Sequence, residues 1–184
     1  MMKRFSMAKT TRDIQSNTLP EPADWSVFQP ATWEQLPDMG LYMDQVITYV
    51  ERLCKPLYAQ GKFLTPAMVN NYVKSGLIAR PHGKKYSRDL LAQLIMICTL
   101  KQALSQDELK KLLAPNASTD ARTDLSSDHA RQVEAQYREF CATQAIVWRL
   151  VLTRRTQNSP LQAALEATAS KILCGEKLEL LTRG

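Results

Sequence analysis

Both ends of one short helix are written into residues 65–76, and the rest of the chain has to be organised around it. Thr65 can accept a hydrogen bond from a free amide two or three residues on, and Pro66 fits the first helical position, where the missing N–H costs nothing. Gly76 supplies a left-handed stop. The spacing predicts a helix over 66–75, with Met68, Val69, Tyr72 and Val73 on one side and Ala67, Asn70, Asn71, Lys74 and Ser75 distributed over the exposed surface. Beyond it, Leu77 and Ile78 can start a small strand, Arg80-Pro81-His82-Gly83 places Pro and Gly where a type I turn favours them, and Lys84-Lys85-Tyr86 can return antiparallel. Ser87 then opens a helix with Asp89 in its first turn. Its residues Leu90, Leu91, Leu94, Ile95, Ile97, Cys98 and Leu100 make it apolar around most of its circumference, so it belongs in a core.

The flanking segments are helical too. From Leu41 onward Val46, Ile47, Tyr49, Val50, Leu53 and Cys54 recur with helical spacing, with Asp44 early in the run and Pro56 just past it. Ser105-Gln106-Asp107-Glu108 forms a capping box for a short helix through Leu109, Leu112 and Leu113, closed by Pro115. A long helix is expected over 128–155, where Ala130, Val133, Tyr137, Phe140, Gln144, Val147 and Val151 make a heptad seam. Ser159 and Pro160 open a last helix, in which Leu161, Leu165, Thr168, Ala169 and Ile172 share a face before Gly175. An antiparallel helical hairpin within the chain and a homodimer through the 128–155 helix both satisfy this pattern.

The expected division is a mobile N-terminal arm over 1–32, a domain over 33–113, a linker over 114–127 and a C-terminal helical region over 128–184 for dimerisation or signal reception. The arm is polar and broken by Pro20, Pro22 and Pro30, with Trp25 and Phe28 as docking points. No apolar run of signal or anchor type occurs near the N-terminus, so the protein is expected to be cytoplasmic with no membrane partner. Cys54, Cys98, Cys141 and Cys174 are far apart with no CxxC pair, which favours reduced thiols packed as small hydrophobes over a metal site.

Charge singles out one part of this plan. The chain has 184 residues and a net charge of +6. Residues 1–61 hold six basic and seven acidic side chains, residues 62–111 hold nine and three, and residues 112–184 hold nine and eight. The whole excess falls in the segment that carries the capped helix and the turn, which is the electrostatic footprint of a nucleic-acid-binding unit.

Several fixed-spacing words support a resemblance. The run from Thr65 to Ile78, then Gly83-Lys84-Lys85-Tyr86-Ser87 and the Leu90–Leu104 helix, together with Trp33-Glu34-Gln35-Leu36-Pro37-Asp38 and Leu41-Tyr42-Met43-Asp44-Gln45-Val46, resembles an uncharacterised bacterial family labelled only as a domain of unknown function. That family in turn is similar to the DNA-binding half of MerR-type winged helix-turn-helix regulators. In those proteins an aromatic residue of the recognition helix stands four positions before a Gly-Leu pair, as Tyr72 does before Gly76-Leu77. Where that pattern has Arg-Tyr just before the aromatic, this chain has Asn70-Asn71. The resemblance implies a MerR-like winged helix-turn-helix domain with a small β-hairpin wing, and with the C-terminal helical hairpin read from spacing the expected fold is all-α, mainly α with that small wing.

The candidate DNA-binding residues are Thr65, Asn70, Asn71, Lys74, Arg80, Lys84 and Lys85. An Asn carboxamide can pair with the adenine edge in the major groove, Lys74 can reach a phosphate or guanine, and Arg80, Lys84 and Lys85 need only charge and reach to meet phosphates. Double-stranded DNA is the expected partner and sequence-specific regulation the expected role. A protein interaction module on the same scaffold, anchored by Trp25, Phe28, Trp33 and Trp148, is the alternative. No glycine-rich phosphate loop, GxSxG or HExxH occurs, so neither an enzyme nor a cofactor is expected.

Overall fold

The computed structural model describes residues 30–57, 64–113, 125–154 and 159–181. The expected arm up to residue 29, with Trp25 and Phe28, and the linker over 114–124 lie outside the described residues. Among the described residues six α-helices follow one another: α1 (Met43–Cys54), α2 (Pro66–Lys74), α3 (Arg88–Leu100), α4 (Gln106–Leu113), α5 (Leu125–Arg154) and α6 (Pro160–Leu181). No helix among the described residues is long and apolar enough to cross a membrane.

The apolar circumference of α3 puts it at the centre. Every residue from Leu90 to Cys98 is buried, and α1, α4 and α5 pack around it. α1 contributes Val46, Val50 and Cys54, α2 contributes Val69, and α4 contributes Leu109 and Leu113. The core continues past Leu113 into the first half of α5, where Val133 and Tyr137 are enclosed. A 3-10 turn over Trp33–Gln35 lies against α5. There the Tyr137 hydroxyl donates to the Ala31 carbonyl at 2.7 Å, and its ring meets Trp33 and Phe140 at centroid distances of 6.2 and 5.9 Å. Arg138 pairs with Glu34 and, at 2.8 Å, with Glu134.

Three expectations are corrected here. The first is the wing, for among the described residues no strand forms. The amides of Leu77 and Ile78 both point back to the Tyr72 carbonyl, at 2.9 and 3.3 Å, and so cannot ladder with Lys84–Tyr86. Tyr86 instead pairs with Leu41, through reciprocal amide–carbonyl bonds of 2.8 and 2.9 Å. Second, the turn is not type I over Arg80–Gly83. It spans His82–Lys85, with the Lys85 amide donating to the His82 carbonyl at 3.0 Å and positive φ at both Gly83 (+54°) and Lys84 (+65°), which is type I′ geometry.

The third is the C-terminal hairpin. The main packing partner of α5 is α3 and that of α6 is α4, rather than each other. The heptad seam accordingly divides: Val133, Tyr137 and Gln144 are buried against the chain itself, while Val147 and Val151 are exposed. Nor does Gly175 stop α6, which runs on to Leu181 because Leu178 is buried and two ion pairs of 2.6 Å tie it to α4, Lys171–Glu108 and Lys111–Glu179. The first of these, with the Ser105 cap, holds the Glu108 carboxyl down at about 2. A Cβ at Gly175 would meet nothing within 4 Å, so Gly175→Ala should raise stability by about 0.5–1 kcal/mol through the helix-interior preference for Ala. Chemical denaturation followed by circular dichroism checks this, and destabilisation would mean that α6 is not continuous there.

Candidate nucleic-acid interface

The local chemistry of residues 65–76 is realised as the sequence suggests. Thr65 is extended, its Oγ1 accepts the Met68 amide at 3.3 Å, and Pro66 begins the helix. The helix ends one residue early, with Ser75 as its cap: the Ser75 amide donates to the Asn71 carbonyl at 2.9 Å and its hydroxyl to that of Tyr72 at 3.1 Å. Gly76 then takes a φ of +72°. Val69 is buried and Met68, Tyr72 and Val73 are half-buried, so the inner face is set by burial. Ala67, Asn70, Asn71 and Lys74, at the i, i+3, i+4, i+7 spacing of one stripe, are all exposed. Thr65 differs from them, being half-buried with its hydroxyl oxygen engaged in the cap.

The second group sits on the turn. Arg80, Lys84 and Lys85 are all exposed. Lys84 occupies a left-handed conformation that costs a residue with a Cβ on the order of 1–2 kcal/mol, and Gly or Asn would hold it more cheaply. Lys85 is drawn back over its own domain: its ammonium lies 5.5 Å from the centroid of the Tyr42 ring, a cation–π distance. Gly40 admits its stem, since a Cβ there would stand 2.9 Å from the Lys85 Cβ. Tyr86 is buried behind the turn and, with Leu41, moors it to the start of α1.

Gly40, Leu41 and Tyr42 are thus site residues that periodicity did not single out. The pairing joins segments far apart in the chain, and the only local signal is a glycine beside two apolar residues ahead of a helix. Partial burial pushes the Tyr72 phenol up to about 12 and raises that of Tyr86. Both therefore stay neutral, as packing residues do.

From Thr65 to Ser87 the chain has no acidic residue. Among the described residues every ion pair lies elsewhere, between α4 and α6, along α5, or between α5 and Glu34 of the Trp33 turn, and none involves Lys74, Arg80, Lys84 or Lys85. The 65–86 segment therefore presents positive charge and carboxamides without internal compensation.

Two of the four thiols are closed off in the core. Cys54 and Cys98 are buried, and burial pushes both up to about 12, so they remain protonated. Cys141 and Cys174 are half-buried. No group of three or more potential metal ligands occurs among the described residues.

Residues 31–140 match a family described as a domain of unknown function, DUF1836. The matched span begins at the residue whose carbonyl Tyr137 holds and ends at Phe140, so it covers the enclosed core except for Gln144 and Leu178. No curated protein and no solved structure matches the chain.

Proposed function

We propose that this chain, which belongs to the DUF1836 domain-of-unknown-function family, is a sequence-specific DNA-binding transcriptional regulator of a MerR-like helix-turn-helix kind without a stranded wing. The observation that carries the reading is the uncompensated positive segment: an exposed amide-and-lysine stripe on α2, followed by a basic turn moored to the core. In this reading α2 enters the major groove, Asn70 and Asn71 address base edges, and Lys74 addresses a phosphate or guanine. The His82–Lys85 turn takes the place of a wing, with Arg80, Lys84 and Lys85 on phosphates. A Lys at a left-handed position that Gly would fill at less cost fits a residue whose charge serves a purpose there. Selection from fragmented genomic DNA tests the proposal: enrichment of a short common sequence supports it, and recovery of unrelated fragments only, or of none, would sink it.

The partner geometry in this proposal is a homodimer, formed through the outer half of α5 and through α6 rather than along the whole 128–155 helix. Ile146, Val147, Leu150 and Val151 on α5 and Leu161, Leu165, Ile172, Leu173, Leu180 and Leu181 on α6 are each about half exposed or more. At roughly 100 Å² of apolar surface per aliphatic side chain, these faces offer on the order of 500–600 Å² per copy, enough for the apolar centre of a specific interface. Two copies of the reader predict paired half-sites about one or more helical turns apart. Light scattering should give twice the chain mass for the wild type and the single-chain mass for Leu165→Glu with Ile172→Glu. A monomeric wild type would leave the same aliphatic faces for a different protein and favour the interaction-module reading.

A further inference from the structure

Gln93 is the one polar residue in the buried run Leu90–Cys98 of α3. It is 3% exposed, and its Oε1 has no hydrogen-bond partner among the described residues. His129, near the start of α5, likewise leaves a buried Nε2 without a partner. Buried polar atoms are satisfied in the great majority of cases, so two orphans bordering one space call for an explanation. That space is a cavity of about 480 Å³ lined by both residues, a volume within the range of small-molecule sites. Arg80 and Lys110 stand on its wall, and Val73, Leu77, Ile78 and Leu113 give it an apolar floor.

We infer that this cavity binds a small organic anion, a carboxylate or phosphate, that also carries an N–H or O–H donor and an apolar body. The chemistry follows from what each wall can offer. Arg80 and Lys110 supply positive charge and donors to the anionic group. The Gln93 Oε1 can only accept, so the ligand must donate to it, and the His129 ring nitrogen can serve either role according to tautomer. The aliphatic residues offer contact surface to an apolar body. A ligand placed here touches Val73 and Gly76 at the end of α2, Arg80 before the turn, α4 through Lys110 and Leu113, and α5 through His129. It therefore joins the candidate DNA-reading segment to the C-terminal helices. Ligand binding at this cavity stands whether or not DNA is the macromolecular partner.

The test uses the full chain, thermal denaturation and titration calorimetry. The probes are L-leucine and 2-hydroxyisocaproate for the carboxylate arm and AMP for the phosphate arm. At least one probe should raise the denaturation midpoint by several degrees, as selective binding to the folded state requires. Gln93→Met keeps the volume and removes the orphan acceptor, so it should raise the midpoint of the unliganded protein while weakening that probe tenfold or more. Lys110→Met, on the partly exposed side of α4, should weaken it to a similar extent without disturbing the core. Failure of all three probes to shift the wild type would overturn the assignment, as would undiminished binding in both variants. The arm that responds names the source of the anion.

Discussion

Tyr137→Ala will destabilise the protein by about 3–5 kcal/mol, the range for a large aromatic side chain removed from a packed core. The residue is 0% exposed and does several things at once: its ring fills the space between Trp33 and Phe140, and its hydroxyl holds the Ala31 carbonyl. Burial raises its phenol well above the ordinary value, which keeps it a neutral donor. Truncation therefore opens a cavity and releases the segment before α1 together. Tyr137→Phe separates the two effects, because it keeps the ring and loses only the hydrogen bond, for about 1 kcal/mol. Urea unfolding followed by circular dichroism measures both. A loss below about 1 kcal/mol for the Ala variant would show that the first half of α5 is not part of the core.

On the proposed DNA-binding role, replacing Arg80, Lys84 and Lys85 together by Ala should lower DNA affinity by roughly a hundredfold to a thousandfold at about 0.1 M salt, since each phosphate left without its cation forfeits nearly a tenfold factor at that concentration. Fold stability should fall by no more than about 1 kcal/mol, since all three side chains are exposed and only the Lys85 contact with the Tyr42 ring is lost. Lys84 alone is informative. Lys84→Gly relieves a left-handed residue while deleting a charge, so it should stabilise the turn and weaken binding in the same variant. Asn70→Ala and Asn71→Ala should act differently, costing about 1–3 kcal/mol on the preferred sequence and little on unrelated DNA. Equal losses on all sequences would assign the two amides to phosphates rather than bases. Competition binding on matched and scrambled duplexes distinguishes these outcomes.

The elements legible in the sequence are those that local chemistry decides. The Thr65 cap with Pro66 gives α2. The Ser105 box appears as a pair of reciprocal bonds, Ser105 amide to Glu108 Oε2 at 2.7 Å and Glu108 amide to Ser105 Oγ at 3.3 Å. The apolar circumference of α3 places it in the core. Ser87 is a partial case: it stands in the N-cap conformation ahead of α3, but its side chain makes no capping bond.

What escaped depends on distant segments. Lys84–Tyr86 has hairpin propensity, yet Lys85 pairs only with His82 across the turn and Tyr86 pairs with Leu41, because Leu77 and Ile78 have already committed their amides to closing α2. Gly175 has the chemistry of a stop, but the packing of Leu178 and the two ion pairs to α4 outweigh a helix-interior cost of about 1 kcal/mol. The heptad seam of α5 shows that a partner is required without showing which. Its first half finds one in α3 and the Trp33 turn, and its second half is left exposed. For the candidate site, the exposed stripe of α2 and the basic turn were visible from spacing and charge. Their mooring through Gly40, Leu41 and Tyr42 was not, since nothing local joins those residues to Lys85 and Tyr86.

DNA binding through the 65–86 segment is tested most directly by the affinity of the wild type for a duplex recovered by genomic selection, measured by fluorescence anisotropy over a range of salt concentrations. Log affinity should fall linearly with log salt at about −0.9 per phosphate neutralised, and the slope of the Arg80, Lys84 and Lys85 variant should be shallower by roughly 2–3. A flat response in the wild type, or the same slope in the variant, would contradict DNA binding by this segment.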